Sequence, residues 1–194
     1  MRYGNDSRTR EIVLTFDDGP NVNTTPKLLD ILADHQIKAT FFVVGERLDN
    51  ANARQILARA YKEGHHVGNH TYTHADLRKL TAEQIRQELQ KTESFIDACG
   101  PRNYKLMRPP YGALNSTVSS MLHDLGYTAV LWNVDSLDWK LRSDAWVSHA
   151  MDQIEDRQHS LVLMHDIHPT TVNNVDALIR KIKDLGNAVF QQYT

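Results

Sequence analysis

The sequence predicts an α/β fold in which short parallel strands alternate with amphipathic helices. Two observations lead to this prediction: short apolar runs recur along the chain, and longer segments with helical spacing separate them. Several runs are nearly continuous in apolar residues, as is typical of parallel strands that are covered on both faces. About seven such strand–helix units fit a single domain, and they favour either an α/β barrel or a wound sheet. Periodicity alone leaves both open.

Six apolar runs are predicted to be strands, and a further strand is expected around Val67. In chain order, the six runs are residues 12–16, 40–44, 105–107, 129–132, 161–164 and 188–190. Two helices between them have clear signals. Thr81 and Gln84 form the pattern of a capping box at a helix start. Near the C-terminus, apolar residues repeat at helical spacing, namely Val172, Val175, Ile179 and Ile182.

Composition and charge exclude several classes of protein. Hydrophobic residues make up 41% of the 194 residues and charged residues 24%, which is the composition of a folded globular protein. The formal net charge of -2 gives no electrostatic footprint for nucleic acid. No apolar run is long enough to span a membrane, and the polar start at residues 1–6 lacks the apolar stretch of a signal peptide. We therefore expect a cytosolic protein or a trimmed mature domain.

The first polar cluster, Asp17 and Asp18, directly follows the first predicted strand. Active sites of such folds gather at the C-terminal ends of parallel strands, so this is where reactive side chains are expected. Adjacent carboxylates repel each other, and a pair at a strand end needs a cation or two separate roles. On its own the pair favours an ordinary turn, because Asp-Gly-Pro is common turn chemistry.

The second cluster contains two histidines, His70 and His74, that lie four residues apart. On a helical turn, this spacing places both imidazoles on one face, where they can bind one metal ion. Two ordinary surface histidines are the alternative. Together with a carboxylate, the pair makes a two-histidine, one-carboxylate set that leaves coordination positions open for water and substrate.

Three further clusters also follow predicted strands. Arg108 precedes a proline-rich turn, where its guanidinium can hold a carboxylate and the turn can aim a backbone N–H at a reacting oxygen. A rigid loop with a surface arginine is the alternative.

Asp135, Asp138 and Trp139 offer carboxylates and a ring on which sugars can stack, although a core position for Trp139 is equally consistent. His165 ends a continuous apolar run at the expected active-site rim, where a satisfied core histidine is the alternative.

Taken in chain order, these clusters resemble all five motifs of the NodB-type polysaccharide deacetylases, carbohydrate esterase family 4. This family includes chitin and peptidoglycan deacetylases and acetylxylan esterases. The resemblance runs from about Ile12 to the C-terminus and implies a distorted (β/α) barrel, with residues 1–194 as one catalytic domain. The matching segments are Thr15-Phe16-Asp17-Asp18-Gly19-Pro20, His70-x-x-x-His74, Arg108-Pro109-Pro110-Tyr111, Asp135-x-x-Asp138-Trp139 and Leu163-Met164-His165.

The resemblance also implies roles for individual residues. The metal ligands are matched by Asp18, His70 and His74. The catalytic base is matched by Asp17, the residue that orients it by Arg108, the catalytic acid by His165 and the carboxylate that supports this acid by Asp138. The backbone N–H of the oxyanion site is matched by Tyr111, and the substrate-binding positions by Trp139, Leu163 and Pro110. The motifs assign no role to His65 or His66.

The implied activity is that of a metal-dependent hydrolase that removes N-acetyl groups from N-acetylglucosamine residues of a chitooligosaccharide or peptidoglycan, releasing acetate. Zinc is the expected divalent ion, and cobalt, nickel or manganese also suit these ligands. An acetylxylan esterase, which uses the same site on an ester, is one alternative. A catalytically inactive carbohydrate-binding barrel is another, although a pure binder needs neither the base Asp17 nor the acid His165.

The implied partner is an N-acetylated polysaccharide or oligosaccharide, with no nucleic acid, no membrane-spanning segment and no requirement for an oligomer. If the chain is a trimmed mature domain, we expect an extracellular, periplasmic or cell-wall-associated location. A cytoplasmic location is the alternative, because no signal peptide is visible.

Overall fold

Eight parallel strands and six α-helices make up the part of the chain that the computed structural model describes, which is residues 8–100, 104–141 and 143–193. The strands are β1 (Arg10–Asp17), β2 (Thr40–Val43), β3 (His66–Asn69), β4 (Leu106–Met107), β5 (Thr128–Ala129), β6 (Val134–Asp135), β7 (His159–His165) and β8 (Ala188–Gln191). The helices are α1 (Thr25–Asp34), α2 (Ala51–Lys62), α3 (Ala82–Cys99), α4 (Ser116–Asp124), α5 (Ala145–Glu155) and α6 (Pro169–Asp184).

The strands form one curled sheet in the order β5-β4-β3-β2-β1-β7-β6. Strand β8 adds to this path by pairing with the first half of β1, whose second half pairs with β2. The outer strands β5 and β6 are consecutive in sequence, so residues 130–133 connect the two edges of the sheet. The backbone N–H of Val130 donates to the Met107 carbonyl, and that of Asn133 donates to the Leu161 carbonyl. The predicted distorted (β/α) barrel is therefore confirmed, with a seam between β5 and β6.

The seam also corrects one strand prediction. The apolar run at residues 129–132 does not form a strand beyond Ala129, and a separate short strand begins at Val134. The reason is that the carbonyls of Val130 and Leu131 accept hydrogen bonds from the buried guanidinium of Arg108. These oxygens are thus not available to a strand ladder. The other predicted strands are confirmed, although the one at 105–107 is limited to β4.

Two hydrophobic clusters cover the sheet. The larger one packs the central strands against α1, α5 and α6, and it fully buries Phe16, Leu29, Trp146 and Ile179. Each such side chain contributes about 1.5–3 kcal/mol of hydrophobic stabilisation. The smaller cluster packs α3 and α4 around Met107. Both predicted helix signals are confirmed: α3 begins with a complete capping box, and α6 buries its apolar stripe.

The structure bears on the prediction about membrane-spanning segments but not on the prediction about a signal peptide. No helix in the described residues is both long enough and apolar enough to cross a bilayer. The polar start at residues 1–6 lies outside the described residues.

Candidate active site

Three side chains converge at the C-terminal edge of the sheet. Asp18 directly follows β1, and His70 and His74 lie in the loop after β3. The Oδ1 atom of Asp18 is 3.3 Å from Nε2 of His70 and 3.3 Å from Nε2 of His74. One ligand atom from each residue lies within 4.8 Å of the others, which is close enough for all three to reach a single ion.

The two histidines do not lie on a helical turn, so the geometry expected from their spacing is wrong. Residues 70–76 form an irregular loop in which Thr71 and His74 have left-handed backbone angles, with φ of 65° and 58°. This loop places the two imidazole rings 5.0 Å apart. The convergence on Asp18 is therefore produced by loop conformation.

Hydrogen bonds to Nδ1 leave both Nε2 atoms facing the carboxylate. Nδ1 of His70 is 2.6 Å from the carbonyl oxygen of Arg108, which can only accept, so this nitrogen carries the proton. Nδ1 of His74 lies 3.2 Å from the Tyr111 hydroxyl. Such partners fix the tautomer and orientation of a metal-ligating histidine.

Asp18 provides the test of whether the residues present fit a metal ion. Its Oδ1 atom is buried and has no hydrogen-bond partner in the described part of the chain. Burial alone would raise the pKa of Asp18, but protonated imidazoles at His70 and His74 outweigh it and hold the pKa far below its usual range. When Nε2 of each histidine is instead unprotonated, as metal binding requires, this buried, ionised oxygen faces no donor and is costly unless a cation neutralises it. One carboxylate and two imidazoles are a donor set that suits a divalent ion, so the cluster fits the metal.

Asp17, the last residue of β1, is held by a buried arginine. The residue is buried, with an exposed fraction of 3%, and its Oδ1 accepts a hydrogen bond of 2.8 Å from Nη1 of Arg108. The arginine is fully buried, and its remaining donors reach Thr15, Val130 and Leu131. The surface-arginine alternative is therefore wrong. Because every guanidinium nitrogen is engaged, Arg108 is held in place and its hydrogen bond fixes the position of Oδ1 of Asp17.

His165, the last residue of β7, forms a second buried ion pair. Its Nδ1 lies 2.8 Å from Oδ1 of Asp138, and its backbone N–H donates to Oδ2 of the same carboxylate. Oδ2 also accepts a hydrogen bond from the hydroxyl of Thr171 in α6. Burial lowers the pKa of His165, but Asp138 more than offsets this and raises it to about 9. The imidazole is therefore a cation at neutral pH.

A cavity of about 500 Å³ opens over these groups. Asp17, Asp18, His70, His74 and His165 all line it, and the rest of its lining consists of Tyr111, Trp132, Trp139, Leu163, Asp135 and His168. The exposed rings of Tyr111 and Trp139 stand at the rim, and the buried side chain of Leu163 lies deeper.

Of the two site residues predicted in the proline-rich turn, Tyr111 lines the cavity and Pro110 does not. Tyr111 lines the cavity and has a left-handed backbone angle, with φ of 62°. Pro110 is buried at the start of the same turn and does not contribute to the cavity lining. Its contact with substrate stays a prediction.

Sequence reasoning missed Trp132, His168 and Thr171. Trp132 was placed inside a predicted strand, although its position between an apolar run and a polar cluster is a usable signal. His168 lies three residues after His165, which also hints at the same rim. Thr171 gave no signal, because its contact with Asp138 joins two segments that are 33 residues apart.

His65 and His66 lie at the opposite end of β3 from the candidate site and have structural contacts. Nδ1 of His65 accepts the backbone N–H of Ala39, and burial lowers the pKa of His65 to about 4. His66 contacts the Tyr193 carbonyl through Nδ1, and its ring packs on Tyr104. Neither histidine reaches the catalytic cavity.

Comparison with known proteins identifies the family. The polysaccharide deacetylase family matches residues 4–130, about two thirds of the chain. The chain belongs to this family. The match includes the segments that carry Asp17, His70 and Arg108, whereas Asp138 and His165 lie beyond it. The structure brings His165 into the same cavity as Asp17 and His70. Arg108 and Asp138 do not line this cavity but are hydrogen-bonded to Asp17 and His165, respectively.

Individual family members resemble the chain over most of its length. The peptidoglycan-N-acetylglucosamine deacetylase PgdA of Listeria monocytogenes is 36% identical over 177 residues, which cover 91% of this chain and 37% of that protein. The chitooligosaccharide deacetylase of a Bradyrhizobium species is 40% identical over 169 residues, covering 86% of this chain and 75% of the relative. The solved structure of the peptidoglycan deacetylase PdaC from Bacillus subtilis superposes with a TM-score of 0.85 at 34% identity, covering 96% and 89% of the two chains. The chain thus spans little more than a third of the Listeria protein.

Proposed function

We propose that residues 1–194 form one catalytic domain that hydrolyses N-acetyl groups of N-acetylglucosamine residues in a polysaccharide and releases acetate. The observation that carries this proposal is that three kinds of functional group line one cavity. They are a cluster of possible metal ligands, a buried carboxylate held by an arginine, and a cationic histidine. Two relatives whose names describe the deacetylation of peptidoglycan and of chitooligosaccharide support the substrate class.

The proposed metal ligands are Asp18, His70 and His74, with zinc as the expected ion and cobalt, nickel or manganese as compatible ones. The chemistry that such an ion supplies is Lewis-acid polarisation of the acetamide carbonyl and a lowered pKa of water. The protein contributes the fixed tautomers of the two histidines and the charge of Asp18.

Asp17 is the proposed general base. Arg108 holds one oxygen of its carboxylate, and the other oxygen, Oδ2, lies 3.7 Å from Nε2 of His70 at the cavity wall. This oxygen can accept a proton from an attacking water as the water oxygen bonds to the acetyl carbon. Because Arg108 fixes the carboxylate, the proton acceptor does not need to reorient during the reaction.

His165 is the proposed general acid. Asp138 occupies its Nδ1, so Nε2 carries the proton that can reach the cavity. When the bond between the acetyl carbon and the sugar nitrogen breaks, this proton passes to the nitrogen, which then leaves as an amine. An amine is a poor leaving group without protonation, so a histidine that stays cationic at neutral pH suits an amide substrate.

Tyr111, Trp139, Leu163 and Pro110 complete the proposed site. The left-handed conformation of Tyr111 belongs to a tight turn beside the cavity, where its backbone N–H is the proposed donor to the oxyanion. Trp139 and Leu163 are the proposed walls for the acetyl methyl group and the sugar face. Pro110 is the remaining proposed substrate-binding position, at the buried start of the same turn.

A second cavity of about 650 Å³ supports a polymeric substrate. It shares Asp18 and His74 with the catalytic cavity and continues along polar side chains, among them Asn21, Arg47 and Asn50. Sugars next to the reacting residue can therefore extend along the surface on this side. A cell-wall polymer as substrate implies an extracellular, periplasmic or cell-wall-associated location, which we include in the proposal.

The decisive experiment measures acetate release from chitooligosaccharides, peptidoglycan and acetylxylan, with added divalent metal and with a chelator. We expect metal-dependent release from the two N-acetylated substrates. Asp17→Asn is the matched control, because it removes the base and retains the metal ligands. Release from acetylxylan alone would identify an esterase, and binding of chitooligosaccharides without any release would identify an inactive barrel.

A further inference from the structure

Asp166 is a buried carboxyl group that the proposed mechanism does not use. It follows His165 at the end of β7, its side chain is 1% exposed, and it does not line the catalytic cavity. Its backbone N–H donates to the carbonyl of Asp17. Its own carbonyl accepts a hydrogen bond from the hydroxyl of Thr24. Asp166 therefore joins the end of β7, which carries the proposed acid, to the end of β1, which carries the proposed base, and to the loop that follows β1.

The side chain of Asp166 fills the space that Gly19 leaves open. A β-carbon at residue 19 would overlap both carboxyl oxygens of Asp166. The φ angle of Gly19 lies outside the left-handed region, so backbone freedom does not require glycine at this position. The Asp-Gly-Pro sequence is therefore explained here by side-chain space, and Gly19 directly follows the proposed metal ligand Asp18.

Asp18 needs support of this kind because its own backbone is strained. Its φ is 76°, in the left-handed region, where a residue other than glycine is held only if its surroundings fix it. On the β2 side, two backbone hydrogen bonds hold the loop: Asp18 donates to Phe42, and Val44 donates to Gly19. On the β7 side, the side chain of Asp166 packs against the loop.

The other end of the contact is anchored in a helix. Oδ2 of Asp166 accepts a hydrogen bond of 2.5 Å from the hydroxyl of Thr25, the first residue of α1. Helix α1 packs into the main core through Leu28, Leu29 and Leu32, so this anchor is firm. Oδ1 of Asp166 has no hydrogen-bond partner in the described residues, so packing against the loop is its main contact.

We propose that Asp166 is a positioning residue that wedges the loop at Gly19 and thereby holds Asp18 at the distance from His70 and His74 that metal binding requires. The inference rests on the proposed metal site. Burial raises the pKa of Asp166 to about 7, so asparagine, which has the same shape and no charge, is a close substitute. Alanine, by contrast, removes the wedge.

The test measures the affinity of the metal-free protein for Zn²⁺ by competition with a chelator, and the absorption spectrum of the Co²⁺ form. We expect Asp166→Asn to bind within about threefold of the wild-type affinity and Asp166→Ala to lose about 10- to 100-fold, the range known for residues that support metal ligands. The matched control is Ile154→Ala in α5, a buried residue outside the cavity, which should lower the unfolding temperature and leave metal affinity unchanged.

A double-mutant cycle isolates the contact itself. Gly19→Ala alone should weaken metal binding, because the new methyl group meets Asp166. In the Asp166→Ala background, the same methyl group enters vacated space, and Gly19→Ala should then cost little further affinity. Additive losses would overturn the proposal, and so would wild-type affinity in Asp166→Ala. If the wild-type protein itself binds no divalent metal, the proposed function fails with it. If the wild type binds and Asp166→Ala binds equally, only this inference fails.

Discussion

Replacing Asp138 with asparagine tests whether His165 is the proton donor. The two side chains are buried and 2.8 Å apart, and Asp138 raises the pKa of His165 from 6.5 to about 9 against the effect of burial. This difference corresponds to about 3 kcal/mol, at about 1.36 kcal/mol for each pKa unit. Asparagine can keep one acceptor oxygen towards Nδ1 of His165, while its amide nitrogen replaces the oxygen that accepts from the His165 backbone N–H and the Thr171 hydroxyl. It removes the charge, so burial is then expected to lower the pKa of His165 below 6.5.

The expected kinetic effect is a shift of the alkaline limb of the pH profile of kcat/KM. In the wild type, this limb should lie near pH 9, and in Asp138→Asn it should lie below about pH 6.5. At about pH 7.5, His165 is then almost fully protonated in the wild type but at most about one tenth protonated in the variant. Deacetylation of a chitooligosaccharide should therefore fall by about tenfold at this pH and recover as the pH is lowered.

An activated aryl acetate provides the internal control, because its phenolate leaves without protonation. Its hydrolysis by Asp138→Asn should stay within a few-fold of the wild type, and the same holds for His165 variants. Equal losses on the amide and the ester, or an alkaline limb that does not move, would refute the assignment of His165 as the acid.

The same pair makes stability depend on pH. The folded pKa of His165 is raised, so its stabilising contribution is complete below about pH 6.5 and is lost as the pH rises through about 9. The wild-type free energy of unfolding should fall by about 3 kcal/mol more across this window than that of Asp138→Asn. Urea unfolding at a series of pH values measures this difference, and parallel curves would contradict the pKa of His165.

Three further predictions concern the metal, the arginine and the polymer. A His70→Ala, His74→Ala double variant should lose its metal by elemental analysis, whereas Asp17→Asn should keep the metal and lose turnover; full occupancy in the double variant would rule out the ligand assignment. Arg108→Lys should lower the free energy of unfolding by about 1–3 kcal/mol in urea, because the buried carbonyls at the seam lose their donors; unchanged stability would contradict the tie across the seam. Rates should rise from the monomer to longer chitooligosaccharides, and Arg47→Ala should reduce this gain without affecting the shortest substrate; rates that are flat with length would argue against the extended groove.

The sequence alone predicted those features of the structure that are determined by residues close together in the chain. The apolar runs that lie within β1 and β7 are nearly continuous, and the polar residues after these runs, Asp17 and His165, reach one edge because parallel strands end there together. The capping box at Thr81 is likewise a contact between residues three apart. Such features need no knowledge of distant segments.

The sequence was insufficient where distant groups decide local structure. The run at residues 129–132 has the composition of a strand, but the guanidinium of Arg108, 22 residues earlier in the chain, takes the carbonyl of Val130. The His70–His74 loop has helical spacing, but its left-handed residues leave the helical path. Asp166 follows a motif histidine and gave no separate signal, because its significance lies in contacts with Gly19 and Thr25.

At the seam between β5 and β6, the two edges of the sheet are not joined by a ladder of backbone hydrogen bonds. The guanidinium of Arg108 instead binds the carbonyls of the connecting segment. Arg108 ties residues 130 and 131 to the carboxylate of Asp17, so the length of this one connection helps to set where the proton acceptor lies. A surface loop elsewhere can grow at little free-energy cost, since closure entropy rises slowly with length. An inserted residue between Val130 and Asn133 would instead shift the carbonyls that hold the arginine. New substrate-binding segments can thus be accommodated at other strand ends. At the seam, by contrast, a change in loop length would move Arg108 and Asp17 and so affect the rate of the reaction.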